Sequence, residues 1–361
     1  MKSKRLDVVT ISGEPFERGK EYGSKLSSRI DEFIEYLIDE FSEPDIGKEN
    51  ILNHSGKYLP FIDDYSEDIY QEMKGIAEGS GHDIEEIVMI SLHEERSSFS
   101  ELERNCTSFA ATGQATKGGT TFMGQTWDIT PELCSNAKPF LLRVNREDGP
   151  GFLSYTYPGM LAGAGLNDEG IGISWNSVPR LDLDFGVPTY VIIENVLRQK
   201  SIGKALSTVL QAKRAGCFNF VIADGTEIYT IEATPGDAEI MYSRKTLGHA
   251  NHYISEKFRY SQDITQAGGR CDSSTIIRYN RINRLLKEND GNIDAELLQK
   301  ITKDHVNFPQ SICRHPEPVK EDEQGYVSCA TWVMDTTNKK WWIANGPACE
   351  NEFIEYFAAH S

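Results

Sequence analysis

The chain has 361 residues, with 37 basic against 55 acidic side chains, a formal charge of −18, 39% hydrophobic residues and 10% aromatic ones. The apolar content is enough for a large core and excludes a disordered chain, while the acidic balance opposes binding to nucleic acid or to anionic membranes. No apolar run approaches the roughly 18 residues of a membrane span, and the basic N-terminus lacks the apolar stretch of a secretory signal, so a cytoplasmic protein is expected.

From Phe16 to Glu43 the apolar positions Ile30, Phe33, Ile34, Leu37, Ile38 and Phe41 recur at helical spacing, which predicts one long helix with an apolar face. Two more helices are expected at about Tyr65–Gly79 and Asp83–Glu95, the second opened by Asp83 with Glu86 at the capping-box position. His93-Glu94-Glu95 reads as a solvated helix face, because no second histidine completes a metal-binding HExxH.

After Cys106 the texture changes. TSFAATG, GTTFMGQTWD, KPFLLRVNRED, GFLSYTY and GIGISWNS are short, rich in β-branched and aromatic residues, and divided by turn formers, which predicts antiparallel strands. Helices are expected at Thr189–Arg198 and Gly203–Ala212, then strands in CFNFVIADG, TEIYTIEAT and EIMYSRK, then helices at Thr275–Lys287 and Asp294–Lys303. The chain closes with a hairpin turning at Asp335–Asn338, its tryptophans Trp332, Trp341 and Trp342 expected in the core. Pro316–Gln324 reads as an exposed loop. Hairpin spacing without regular βαβ alternation points to an α+β protein with antiparallel sheets.

Four segments combine reactive side chains with turn formers. Cys106 stands at the junction between the helical part and the first strand, and a hairpin turning near Thr116–Gly119 returns Asp128 to its level within a residue or two. Leu247–Tyr253 contains His249, Asn251 and His252: Asn251 suits an amide donor, whereas the HxxH spacing lacks an obvious third zinc ligand, His305 and His315 being the remaining candidates. The fourth is Ser311–Pro316, with Arg314. Seven cysteines with no CxxC pair suit reduced thiols better than a disulfide scaffold.

Together these segments resemble the acyl-coenzyme A:6-aminopenicillanic acid acyltransferase (isopenicillin N acyltransferase) family of N-terminal-nucleophile hydrolases, related to the choloylglycine and penicillin V hydrolases. The resemblance runs from Gly13-x-Pro15-x-Glu17-Arg18-Gly19-x-x-Tyr22-Gly23 through Asn105–Phe109, Gly124–Asp128, Gly165-Leu166-Asn167-x-x-Gly170, His249–His252, Asp272–Ser274 and Ser311–Arg314 to Gly346-Pro347-x-Cys349. It implies a four-layer αββα sandwich and self-cleavage between Asn105 and Cys106, giving a mostly helical segment 1–105 and a catalytic segment 106–361 within one structural unit. The family often has glycine before the nucleophile, where this chain has Asn105, a residue that also tolerates left-handed backbone.

The resemblance further implies Cys106 as nucleophile, Asp128 and Arg314 as a polar pair organising it, Asn251 as oxyanion donor, and Asn167 and Trp127 on the substrate side. A cysteine thiol near pKa 8.5 needs a base, and cleavage would free the α-amino group of Cys106 itself, with a reference pKa of about 7.7–8.0. The function expected is amide hydrolysis or acyl transfer on an N-acylated small molecule or acyl thioester, with no metal or other cofactor. A homo-oligomer is compatible with the sequence. The competing readings are a zinc hydrolase using His249 and His252 with His305 or His315, and an inactive binding scaffold of the same fold.

Overall fold

The computed structural model describes residues 5–97, 106–181, 184–261, 273–316 and 325–358. Asn105, Asp272 and most of the loop expected at Pro316–Gln324 lie outside them. In chain order the elements are β1 Val8–Ser12, α1 Pro15–Phe41, α2 Lys48–Gly56, α3 Leu59–Tyr65, α4 Glu67–Ser80, α5 Ile84–Ser91, α6 His93–Ser97, β2 Thr107–Gly113, β3 Gly119–Ile129, α7 Pro131–Ala137, β4 Phe140–Asn145, β5 Phe152–Thr156, β6 Ala164–Asn167 and β7 Gly172–Ser177. They continue with α8 Thr189–Leu197, α9 Ile202–Gln211, β8 Phe218–Ala223, β9 Ile228–Ala233, β10 Ala238–Ser243, β11 Thr246–His249, α10 Ser273–Glu288, α11 Ala295–Ile301, β12 Val327–Asp335, β13 Lys340–Ala344 and β14 Ile354–Phe357.

The strands form two sheets, one in the order β1-β4-β5-β6-β7-β8-β9-β10 and the other in the order β11-β2-β3-β12-β13-β14. All pairings are antiparallel except β1 with β4, which is parallel. The sheets face each other through β2, β3, β7 and β8, with α8 and α9 packed on the first sheet and α10 and α11 on the second. This is the four-layer αββα sandwich. Being covered on both faces, the central strands are buried continuously rather than in alternation, as TSFAATG in β2 shows.

Aromatic side chains fill the space between the sheets. Trp127 lies edge-on to Trp175 at 5.2 Å and Trp332 lies 5.3 Å from Tyr155. Two of the buried indoles hydrogen-bond through their N–H groups, Trp127 donating to the Tyr157 hydroxyl at 2.7 Å and Trp175 to the Gly163 carbonyl at 2.7 Å. Trp332 and Trp341 are buried as expected, and Trp342 is half-buried.

The N-terminal motif around Arg18 has a packing explanation. A Cβ on Gly19 would stand 2.0 Å from the Glu72 carbonyl oxygen, and one on Gly75 would stand 2.1 Å from that of Phe16, so α1 and α4 touch backbone to backbone. Arg18 then reaches across the crossing to Glu72, its Nε at 2.9 Å and Nη2 at 2.6 Å, while Nη1 donates to the Gly13 carbonyl at 2.7 Å. Arg198 bonds both Glu72 and Glu194 in the same buried cluster. Burial pushes the Glu72 carboxyl up, but the Arg198 and Arg18 charges outweigh it and hold the group below its ordinary range. The Tyr22 hydroxyl, one turn on, donates to the carbonyls of Tyr157 and Met160 at 3.1 and 3.0 Å, tying the helices to the first sheet.

Two expectations are corrected. His93, Glu94 and Glu95 are buried, not solvated: Tyr190 stacks on His93 with ring centroids 5.1 Å apart and its hydroxyl donates to Glu94 at 3.3 Å, while Glu95 accepts from the Thr189 N–H at 2.7 Å. Cys134 on α7 and Cys329 on β12 are joined by a disulfide, so the cysteine pattern no longer argues for a reducing compartment. No helix among the described residues is long and apolar enough to cross a membrane.

Candidate active site

The β2–β3 hairpin sets the first distance of the site. Thr107 pairs with Thr126, so Cys106, immediately before β2, stands level with the Trp127–Asp128 step of β3. The Asp128 backbone N–H and the Gln125 side chain both hydrogen-bond toward the Cys106 sulfur. Gln125 also bridges the two sheets, donating to the Trp175 carbonyl at 2.7 Å and accepting from the Trp175 N–H at 3.1 Å. Burial foremost, then the charge of Asp128, pushes the Cys106 thiol up to about 12, so in the uncut chain the thiol rests protonated and reacts only as its proton is taken up.

Asp128 is buried on the other side of the same step. A bulge at Cys329, where the β12–β3 register shifts between Ser328 and Ala330, turns Ser328 so that its hydroxyl donates to Asp128 Oδ1 at 2.7 Å. Ser328 Oγ in turn accepts from the Arg314 N–H at 3.0 Å. Burial raises the Asp128 carboxyl to about 6, against the opposing pull of Arg278, the Ser328 hydrogen bond and Arg314. The Arg314 guanidinium lies 5.5 Å over the Tyr326 ring.

Asn251 follows β11, whose pairing with β2 brings His249 opposite Ser108. Its amide donates to the Ser177 carbonyl at 2.9 Å and to the Ser177 hydroxyl at 3.3 Å, and its oxygen accepts from Arg278 Nη2 at 3.0 Å. Arg278, on the inner face of α10, also donates from Nη1 to the Cys106 carbonyl at 2.5 Å and to Thr107 Oγ1 at 3.0 Å. One guanidinium therefore joins the cysteine backbone to the candidate oxyanion donor. Sequence reasoning missed it: within α10, RYNRINR offers three arginines at helical spacing, and only the tertiary fold buries the first.

A cavity with about 730 Å³ of empty space, part of it open to solvent, is walled by Cys106, Trp127, Asp128, Trp175, Ser177 and Tyr326. α1 contributes Tyr36, Leu37 and Phe41, and the start of α7, capped by Thr130 accepting from the Leu133 N–H at 3.2 Å, contributes Thr130 and Leu133. The charged groups on the wall are all acidic: Glu40, Glu94 and Asp128.

Trp127 is thus at the wall, but Asn167 is not. Its amide donates to the Leu197 and Gln199 carbonyls at 2.9 and 2.8 Å and its oxygen accepts from the Glu169 and Ile171 N–H groups, which fixes the β6–β7 turn and leaves no capacity for substrate. The zinc pair of the competing reading is also not assembled. His249 faces Glu232 at 2.9 Å and the Ala250 carbonyl at 2.7 Å, and His252 faces Thr275 at 2.9 Å. Burial, then the charges of His249 and Arg278, lowers His252 to about 4. Among the described residues, neither belongs to a group of side chains that could converge on one ion.

The sequence profile of the family described as acyl-coenzyme A:6-aminopenicillanic acid acyl-transferase matches residues 115–348. The chain is 24% identical over 315 residues to the 40 kDa form of acyl-coenzyme A:6-aminopenicillanic-acid-acyltransferase of Emericella nidulans, covering 85% of this chain and 84% of that protein. Solved structures with similar folds include conjugated bile acid hydrolase of Clostridium perfringens, in its R18L variant (TM-score 0.47, 13% identity, 70% of this chain and 97% of that one). Another is penicillin V acylase of Agrobacterium tumefaciens (TM-score 0.43, 11% identity, 66% of this chain and 83% of that one).

Proposed function

The chain belongs to the acyl-coenzyme A:6-aminopenicillanic acid acyl-transferase family, and from that premise we propose that it is a self-processed N-terminal cysteine amidohydrolase or acyltransferase working on an N-acylated small molecule. The observation that carries the reading is the position of Cys106 on the wall of the cavity, with Asp128 one step along the paired strand. In the uncut chain the thiol is raised to about 12 and has no base of its own. Hydrolysis of the 105–106 bond supplies one, because the freed α-amino group sits on the nucleophile's own residue and titrates near neutrality.

The thiol first attacks the carbonyl of residue 105 and its proton passes to the Cys106 nitrogen as the C–N bond breaks, so the N-to-S shift gives a thioester and frees the α-amino group; water then opens the thioester to a new carboxylate and returns the thiol. In turnover the same thiol attacks the substrate carbonyl, the α-amino group takes the thiol proton and returns it to the leaving amine, and water or a second amine resolves the acyl-enzyme. Asn251 donates to the oxyanion by exchanging its weaker bond to the Ser177 hydroxyl. Asp128 and Arg314 hold the new amino group, and Arg278 keeps the Cys106 carbonyl and Asn251 in register. Trp127 and the apolar wall of Leu37, Phe41 and Leu133 suit an apolar acyl group, while Glu40 and Glu94 suit a leaving half that is cationic or rich in donors.

The test is the intact mass of the denatured protein with N-terminal sequencing. Fragments 1–105 and 106–361, the second beginning Cys-Thr-Ser-Phe, are expected from the wild type and one full-length chain from Cys106→Ala. A full-length wild type that still turns over N-acyl amides would falsify the self-processing mechanism.

A further inference from the structure

The fourth of the reactive sequence segments, Ser311–Pro316, does more than present Arg314. On the far side of that arginine the loop after α11 folds back on itself, the Cys313 N–H donating to the Asp304 carbonyl at 3.1 Å and the His315 N–H to the Pro309 carbonyl at 3.2 Å. This brings His305 beside His315, their Nε2 atoms 3.2 Å apart. Cys313 Sγ lies 3.7 Å from His315 Nε2, and Cys349 Sγ, from the turn after β13, lies 3.2 Å from it. All four potential ligand atoms fall within 4.8 Å of one another.

We propose that His305, Cys313, His315 and Cys349 form a tetrahedral Cys₂His₂ site for one structural zinc ion. Zinc bound at about 2.0–2.1 Å to nitrogen and about 2.3 Å to sulfur places tetrahedral ligands roughly 3.3 Å apart for N···N and roughly 3.5 Å apart for S···N. The observed spacings match this with shifts of a few tenths of an ångström. Two thiols and two imidazoles are the ligand set zinc favours, and with both thiols deprotonated the site is electrically neutral, so its burial costs little.

An outer partner is also in place. The Nδ1 of His315, the face that ligation through Nε2 leaves over, points to Glu350 Oε1 at 3.3 Å, the carboxylate–histidine arrangement that fixes the ring of a metal-bound histidine. Phe308 lies against both histidines, with centroids 5.7 Å from His305 and 5.3 Å from His315. With four protein ligands the site keeps no open position for water, which makes it structural rather than catalytic. Its consequence is mechanical: Arg314 lies between two ligands, so the metal clamps the backbone that carries this arginine toward Asp128 and ties it to the chain's C-terminal strand. The site is independent of the mechanism proposed for Cys106.

The test is the zinc content of full-length protein expressed in zinc-supplemented medium without a metal-affinity tag, measured by mass spectrometry of the elements. About one zinc per chain is expected in the wild type, falling at least tenfold in Cys349→Ser and His305→Ala, the latter at the surface and the least disturbing to folding. Cobalt(II) added to apoprotein should give the thiolate charge-transfer and tetrahedral d–d bands, and the Cys313→Ser/Cys349→Ser double variant should lose the former. A wild type without zinc, zinc retained in the Cys313→Ser/Cys349→Ser double variant, or a Cys313–Cys349 disulfide in protein purified under reducing, zinc-replete conditions each overturns the proposal.

Discussion

Two clusters of buried charge share the architecture, one at a helix crossing and one on the wall of a cavity. At the α1–α4 crossing, Arg18, Glu72, Arg198 and Glu194 are packed into a layer of helices, and each arm of Arg18 is spent on Glu72 or on the Gly13 carbonyl. At the β2–β3 step, Arg278, Arg314 and Asp128 surround a cysteine that lines a cavity. The first cluster lowers Glu72 but leaves Glu194 raised to about 7, and the second leaves Asp128 raised to about 6. An incompletely compensated buried acid is therefore no mark of chemistry in itself. A nucleophile beside open space is.

The comparison is sharpest at Cys106. Cys106→Ala should abolish both self-cleavage and turnover while leaving the thermal unfolding midpoint within a few degrees of the uncut chain, since it deletes one atom facing a cavity. Detectable cleavage in this variant would move the nucleophile elsewhere. Next, Asn251→Ala should lower kcat by about 10²–10³ with substrate affinity less affected, as for removal of one oxyanion donor; an unchanged kcat removes Asn251 from that role.

The helix cluster should answer in the opposite currency. Arg18→Leu removes one of the two arginines that hold Glu72 and should lower stability by about 3–5 kcal/mol, read by denaturant titration in the Cys106→Ala background, while the single variant with Cys106 intact keeps its turnover per folded molecule. If turnover per folded molecule fell as far as stability, the two clusters would be one functional unit. Gly75→Ala, which drives a methyl into the Phe16 carbonyl, should cost about 1–3 kcal/mol for the same reason of closeness.

The smallest effect is a slope. Because the folded Asp128 binds its proton more tightly than an unfolded aspartate of pKa near 3.9, the uncut chain should lose stability as pH rises from about 4 to about 6, and hold it below that window. Asp128→Asn in the Cys106→Ala background should reduce the slope, what remains coming from Glu194, which burial raises to about 7; an unchanged slope would assign it wholly to Glu194 or another buried acid.

Much of this was legible before any coordinates. The long α1, the Asp83–Glu86 capping box and the terminal hairpin follow from local rules that tertiary contacts did not override, and the box is present with the Asp83 N–H donating to Glu86 at 3.0 Å. The closeness of Cys106 and Asp128 followed from counting along a hairpin. What stayed hidden depends on distant partners. The Val8–Ser12 strand is too short to announce itself and exists because β4 offers a free edge. Glu94 and Glu95 look like solvent residues until α8 covers them. Arg278 is one of three arginines on a helix, and its role is fixed by contacts 172 and 27 residues away along the chain. Asn167, conversely, looked like a site residue because its motif did, although its polar atoms close a turn.

That same first strand carries a consequence for the proposed mature enzyme. β1 lies in register along β4 from Val8–Leu141 to Ser12–Asn145, and the disulfide joins two cysteines that both follow residue 105. A cut before Cys106 would leave the first fragment held by no covalent tie, yet woven into the sheet of the second as its edge strand. The fragments could then part only by unravelling that sheet, so the uncut chain is the species that must fold, and processing would turn a reversible fold into a kinetically trapped pair.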